Sequence, residues 1–198
     1  MGRRQRGHRN APARAGLDVW KHRAAERHSS DVTITLTTAQ LRAICPGAPA
    51  GAVAALNVIL ARTQSVTDLR AAMLVAQLAV RSDSFTLLEE EDGSRRALTP
   101  YFGRGWIQLT GLRNYRAAGA ALALDLVKHP ELVVPHNAEV TAWFWSAHRL
   151  HAFSDVGDVH GCTRAIDWTA TRPRQLALRR VVYEQARWVL AGSRHFAA

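Results

Sequence analysis

Between Thr67 and Ser82 apolar residues recur at helical spacing with little interruption: Leu69, Met73, Ala76 and Val80 fall on one stripe, and Leu74 and Leu78 broaden it. A helix that is apolar around most of its circumference has to be enclosed by other elements. This stretch is therefore expected to lie in the middle of the core, capped by Thr67 or Asp68 and ending near Ser82. The surrounding sequence reads as further helices. Thr37-Thr38-Ala39-Gln40 has the form of a capping box ahead of Leu41 and Ile44, and Pro46, Gly47 and Pro49 stop that run. Val53, Leu56 and Leu60 recur at three and four between Ala50 and Thr63, and Gln64-Ser65-Val66-Thr67 reads as a turn. More helices are expected from Arg113 to Ala123, Asn137 to His148, Val159 to Ile166 and Arg174 to Leu190, with Gly192 as a terminal cap. Only Thr33-Ile34-Thr35-Leu36 suits a short extended piece. Without sustained alternation or an internal repeat, the expected fold class is all-α (mainly α), with function in a cleft between two lobes.

The chain has 198 residues, 47% hydrophobic and 21% charged, enough for one good core. Its formal net charge of +10 favours polyanions such as nucleic acid, anionic lipid or acidic wall polymers. The charge is concentrated at the start, where Arg3, Arg4, Arg6, Arg9, Arg14, Lys21, Arg23 and Arg27 face only Asp18 and Glu26. Residues 1–31 are expected to be a disordered basic arm, solvated or engaging an anionic polymer, ahead of a helical domain over residues 32–198. Only Trp20 offers the arm an aromatic for stacking on bases. No apolar run is long enough to span a membrane, and no signal-peptide core follows the basic start. The expectation is a monomer, cytoplasmic on synthesis, with later release to the cell envelope left open. Cys45 and Cys162 read as two buried thiols.

The glycine-punctuated run Tyr101-Phe102-Gly103-Arg104-Gly105-Trp106-Ile107-Gln108-Leu109-Thr110-Gly111-Leu112-Arg113-Asn114-Tyr115 resembles the signature of glycoside hydrolase family 19, the family of chitinases and phage-type endolysins. The resemblance extends upstream through Leu41-Arg42-Ala43-Ile44-Cys45-Pro46 and Ala71 to Leu78. Downstream it takes in Ala142-Trp143-Phe144-Trp145, Asp155-Val156-Gly157-Asp158 and Thr163-Arg164-Ala165-Ile166, covering about Val32 to Leu190 in all. It implies a lysozyme-like helical fold and inverting hydrolysis of β-1,4-linked N-acetylhexosamine polymers, peptidoglycan or chitin, without a cofactor. Such chemistry pairs a protonated carboxyl, which donates to the leaving oxygen, with a carboxylate that activates water. The two stand roughly 6.5–9.5 Å apart.

Family members of the bacterial and phage type carry the acid in a His-Glu-Ser or His-Glu-Thr motif closing the third helix, and the base in the next loop. Here the corresponding run is Val80-Arg81-Ser82-Asp83, so Arg81 stands at the acid position, with Glu90 at the base position and Glu89 beside it. A guanidinium stays protonated and cannot supply a proton as a carboxylic acid does. General acid catalysis typically contributes about 10²–10⁴-fold, so hydrolase activity is expected to be weak or lost. Asp83 is a poor substitute by spacing, and an ion pair between Arg81 and Glu90 is suggested by their occupying facing positions. The resemblance further implies saccharide contacts at Gln108, Thr110 and Asn114 and at Arg179 near the last helix, and Tyr101 and Trp106 offer aromatic surface to a sugar face. From the residues themselves, Gln108 and Asn114 read equally as ligands of loop backbone, and Trp106 as core. The family's Ile-Asn-Gly-Gly run is here Ile166-Asp167-Trp168-Thr169, and the segment between Glu91 and Tyr101 is short.

His148, His151, Asp155, Asp158, His160 and Cys162 crowd one stretch, but Asp155 and Asp158 match family positions that carry no metal, and no metal site is expected. Trp143, Phe144 and Trp145 read as packing beneath the cleft. Two other functions stay open: an active inverting hydrolase using Glu90 with a rearranged acid, and a non-enzymatic basic module that binds nucleic acid or anionic wall polymer through its arm.

Overall fold

The computed structural model describes residues 33–93, 100–167 and 175–195, without the side chains of 193–195. The basic arm expected over residues 1–31 lies outside them. The described chain is helical, and its only β-pairing is a pair of isolated bridges, Glu89 with Arg104 and Arg104 with Leu109.

Helix α1 (Thr38–Ile44) begins with the capping box read from the sequence: Gln40 N donates to the Thr37 hydroxyl at 3.2 Å, and Thr37 N donates to Gln40 Oε1 at 2.8 Å. Leu41 and Ile44 point inward. Helix α2 (Ala52–Arg62) buries Ala52, Leu56, Ile59 and Leu60. Helix α3 (Asp68–Arg81), capped by the Thr67 hydroxyl, buries every residue from Ala71 to Ala79 and is the centre of the core. The extended piece at 33–36 pairs with no strand. The Asn57 amide takes a strand's place, accepting from Leu36 N at 2.8 Å and donating to Leu36 O at 3.0 Å.

Beyond the glycine-punctuated turn come α4 (Leu112–Leu122), ended by Ala123 in the left-handed region, a 3₁₀ turn over Pro130–Val133, and α5 (Asn137–Ala147). A single helical turn, α6 (His151–Ser154), was not foreseen. It is followed by α7 (Val159–Ile166), capped by the Asp158 carboxylate on Gly161 N. Helix α8 (Leu176–His195) packs along α3 more extensively than any other pair of elements packs together. Gly192 does not cap it: the helix continues to His195, and Gly192 faces open space, where a solvent-exposed glycine lowers helix stability by only about 1 kcal/mol. No helix among the described residues is long and apolar enough to cross a membrane.

The histidine-rich stretch is structural. Trp145 Nε1 can only donate, so it gives its proton to His151 Nδ1 (3.2 Å), leaving His151 Nε2–H to donate to Thr63 O at 2.7 Å. His148 stacks on Phe144 at 3.9 Å between ring centroids. Asp155 accepts two bonds from Arg70, at 2.6 and 2.8 Å, tying the α6 region to the start of α3. Both cysteines are buried, and burial pushes the Cys45 thiol up to about 11 and the Cys162 thiol up to about 12. Trp143, Phe144 and Trp145 are core residues.

Burial holds the His151 imidazole below its ordinary value of 6.5. The unfolded chain therefore binds the proton more readily than the folded one, and stability falls as pH drops through that value and below it. Lowering the pH from about 7.5 to about 5 is expected to reduce the thermal midpoint, and His151→Gln is expected to flatten that dependence. An equal pH slope in wild type and variant would show that another group is responsible.

Candidate functional site

The turn that carries the signature is built around one buried cation. Arg104 is only 6% exposed, and its guanidinium donates to Glu89 Oε1 (2.8 Å), Pro100 O (2.7 Å) and Tyr115 Oη (2.9 Å) while lying 3.6 Å over the Phe102 ring. A buried charge is tolerated only when paired and hydrogen-bonded in this way. The flanking glycines follow from the same crowding. A Cβ on Gly103 would come within 2.6 Å of Gln108 Oε1, and Gly105 has φ +70 with Asn137 Oδ1 at 3.0 Å from its missing Cβ. That Asn137 oxygen accepts from Trp106 N at 2.7 Å. The Trp106 indole is buried, donates to Phe85 O and meets the Phe85 ring edge-on, so it is core and not a sugar platform.

Gln108, Thr110 and Asn114 follow one another along this turn and the first turn of α4, all half-buried. Each directs one donor to nearby backbone. Gln108 Nε2 donates to Gly105 O (2.9 Å), Thr110 Oγ1 to Gln108 O (2.9 Å) and Asn114 Nδ2 to Thr110 O (2.9 Å). The Gln108 and Asn114 side-chain oxygens accept no hydrogen bond from the described residues. Tyr101 leans on Tyr115 and donates to Val127 O at 3.0 Å, which fixes its ring at the edge of the turn.

Glu90 is held alongside. Its backbone N–H donates to Gly103 O at 2.8 Å, its Oε2 accepts from Gly103 N at 3.3 Å, and it remains half-buried. Glu89, expected as a second catalytic candidate, is instead the counter-ion of Arg104.

Arg81 closes α3 against the same turn. Its Nε donates to Ile107 O at 2.8 Å, and its Nη2 lies 3.5 Å from Gln108 O. The anticipated ion pair with Glu90 is not formed: among the described residues Arg81 bonds backbone carbonyls, and the carboxylates of Asp167 and Glu90 act on it only through space. Burial lowers its pKa, and those two carboxylates oppose the shift. Arg81 also lines a cleft of about 370 Å³ with Asp83, Ser84, Leu87, Leu178 and Val182. Arg179, expected at a sugar contact, is 3% exposed, and its Nη1 donates to Gln77 Oε1 at 2.7 Å. It belongs to the protein interior, where burial and then the positive charge of Arg81 bring its pKa down to about 10. Gln77 itself escaped the sequence reading, although a polar residue inside a wholly apolar helix was the available signal.

A family model described as chitinase class I matches residues 86–174. Chitinase 8 of Oryza sativa subsp. japonica is 48% identical over 59 residues, covering 28% of this chain and 23% of that protein. An endochitinase of Avena sativa is 37% identical over 90 residues, 42% of this chain and 45% of that one. Among solved structures, chitinase C from Streptomyces griseus HUT6037 superposes with a TM-score of 0.67 at 19% identity, over 83% of this chain and 96% of that one. Residues 86–174 are thus similar to glycoside hydrolase family 19, and the helical fold is shared with chitinases of that family. The fold likeness extends to a class IV chitinase from Zea mays, TM-score 0.53 at 19% identity over 88% of this chain and 92% of that one. The chain spans less than half the length of these curated relatives.

Position 81 is followed by a local departure from ordinary backbone. Asp83, Ser84 and Phe85 all have positive φ, at 45, 59 and 70, although none is glycine. The run is held by Ser84 N on Ala79 O, Leu87 N on Ser82 O and Phe85 N on the Ser82 hydroxyl. A non-glycine residue in this region costs about 1–2 kcal/mol. Ser84→Gly is expected to stabilise the protein by about 1 kcal/mol, read as a higher urea midpoint. A lowered midpoint would mean that the segment is not strained at this residue.

Proposed function

We propose that this protein is a saccharide-binding member of family 19, directed at β-1,4-linked N-acetylhexosamine polymers such as peptidoglycan or chitin, with weak or lost hydrolase activity. The observation that carries the reading is the occupant of position 81. The last residue of the buried helix α3 faces the Ile107–Gln108 turn and presents a guanidinium there, while one carboxylate, Glu90, is held at Gly103. An inverting mechanism needs a proton donor and a water-activating base, and a guanidinium cannot be the donor at any working pH. Gln108, Thr110 and Asn114 keep polar atoms at the surface of the turn, which supports continued contact with a sugar.

One observation favours a second reading, an active hydrolase with a displaced acid: Asp83 lines the same cleft as Arg81. Hydrolysis of purified peptidoglycan and of chitotetraose by the natural chain, by Arg81→Glu and by Asp83→Asn separates the two. Under the proposed function the natural chain is inactive or nearly so, and Arg81→Glu gains on the order of 10²-fold or more. Substantial activity in the natural chain that Asp83→Asn abolishes would establish the second reading instead.

A further inference from the structure

Arg81 does more than remove an acid. The Ile107–Gln108 turn is an unfavourable piece of backbone: Gln108, not a glycine, sits at φ +53, and the peptide oxygens of Ile107 and Gln108 both turn toward the end of α3. Two donors reach the Gln108 carbonyl, the Thr110 hydroxyl at 2.9 Å and Arg81 Nη2 at 3.5 Å, while Arg81 Nε holds the Ile107 carbonyl at 2.8 Å. The Gln108 side chain is folded back onto Gly105 O, and its other end lies against Gly103, so its orientation is set by the same turn. Asn114 is fixed in sequence, through Thr110 O. Arg81 thus bonds two carbonyls of the turn and shares that of Gln108 with the Thr110 hydroxyl, while Gln108 and Asn114 bond the Gly105 and Thr110 carbonyls of the same turn.

We propose that Arg81 is a positioning residue that clamps the Ile107–Gln108 turn and pre-organises Gln108, Thr110 and Asn114 for saccharide binding, so that the acid position of this chain has been converted from proton donation to ligand affinity. The inference rests on the saccharide reading above and deepens it. A planar guanidinium is suited to the task because it presents two donors in a fixed fork to adjacent carbonyls, which neither a carboxylate nor a point-charge ammonium can do. Fixing a binding turn in advance removes the ordering cost that a ligand otherwise meets. A consequence is an opposition within one residue: Arg81→Glu, the change that supplies an acid, removes the clamp.

The test measures chitotetraose binding by calorimetry, together with amide hydrogen exchange over residues 101–115, in the natural chain, Arg81→Gln, Arg81→Glu and Arg81→Lys, with helical content checked by circular dichroism. The expected result is affinity roughly tenfold lower in the Gln and Glu variants, partial recovery in Lys, and faster exchange at Leu109 and Gly105 at unchanged helical content. Equal affinity and equal exchange in all four proteins would overturn the clamp and leave the saccharide reading standing. Absence of binding to chitotetraose and to a peptidoglycan glycan fragment by the natural chain would overturn the saccharide reading and the clamp with it.

Discussion

The fold turns on the buried amide of Gln77. It sits in the middle of α3, where every neighbour from Ala71 to Ala79 is out of contact with solvent, and an amide there must find its partners inside the protein. Nε2 donates to the Thr163 hydroxyl on α7 at 3.0 Å, and Oε1 accepts from Arg179 on α8 at 2.7 Å. One side chain thus fixes the two helices that flank α3. Arg81 lies one helical turn beyond Gln77 on the same face, so the register that satisfies the amide also sets where the residue closing α3 meets the signature turn. The arrangement brings Arg81 and Arg179 close enough to repel, and Asp167, at the end of α7, offers the opposing charge to both.

Two buried or half-buried cations organise the site. Arg104 holds the glycine-punctuated turn from within through Glu89, Pro100 and Tyr115, and Arg81 holds it from α3. Glu90, at the position where the resemblance puts the base, is placed by backbone pairing with Gly103. A loss of the acid can therefore leave the turn and the base position intact, because different contacts hold each.

Much of this was legible in the sequence, for identifiable reasons. The apolar periodicity of α3 and the Thr37–Gln40 capping box are local signals, and both helices formed where those signals placed them. Trp143 and Trp145 are buried, as their place beneath the expected cleft suggested, while Trp106, readable as core or as a sugar face, is core. The short helix at His151–Ser154 was not legible, because its anchor is Thr63, far away in sequence. Glu89 looked like a site residue because it lies beside the base position, and Arg179 because it matches the family's arginine near the last helix. Their roles as partners of Arg104 and Gln77 are visible only once helices distant in the chain are brought together. Gly192 looked like a stop because a glycine after an amphipathic run usually is one, yet packing of α8 along α3 carries the helix past it.

On the proposed function, the turn from Gln108 to Asn114 receives an N-acetylhexosamine chain although position 81 carries no acid. A crystal structure of the natural chain with chitotetraose tests it most directly. The expected result is an intact oligosaccharide lying against Gln108, Thr110 and Asn114 with Glu90 on one side and the Arg81 guanidinium still bound to the Ile107 carbonyl. A cleaved product, or a sugar bound elsewhere with this turn empty, would contradict it.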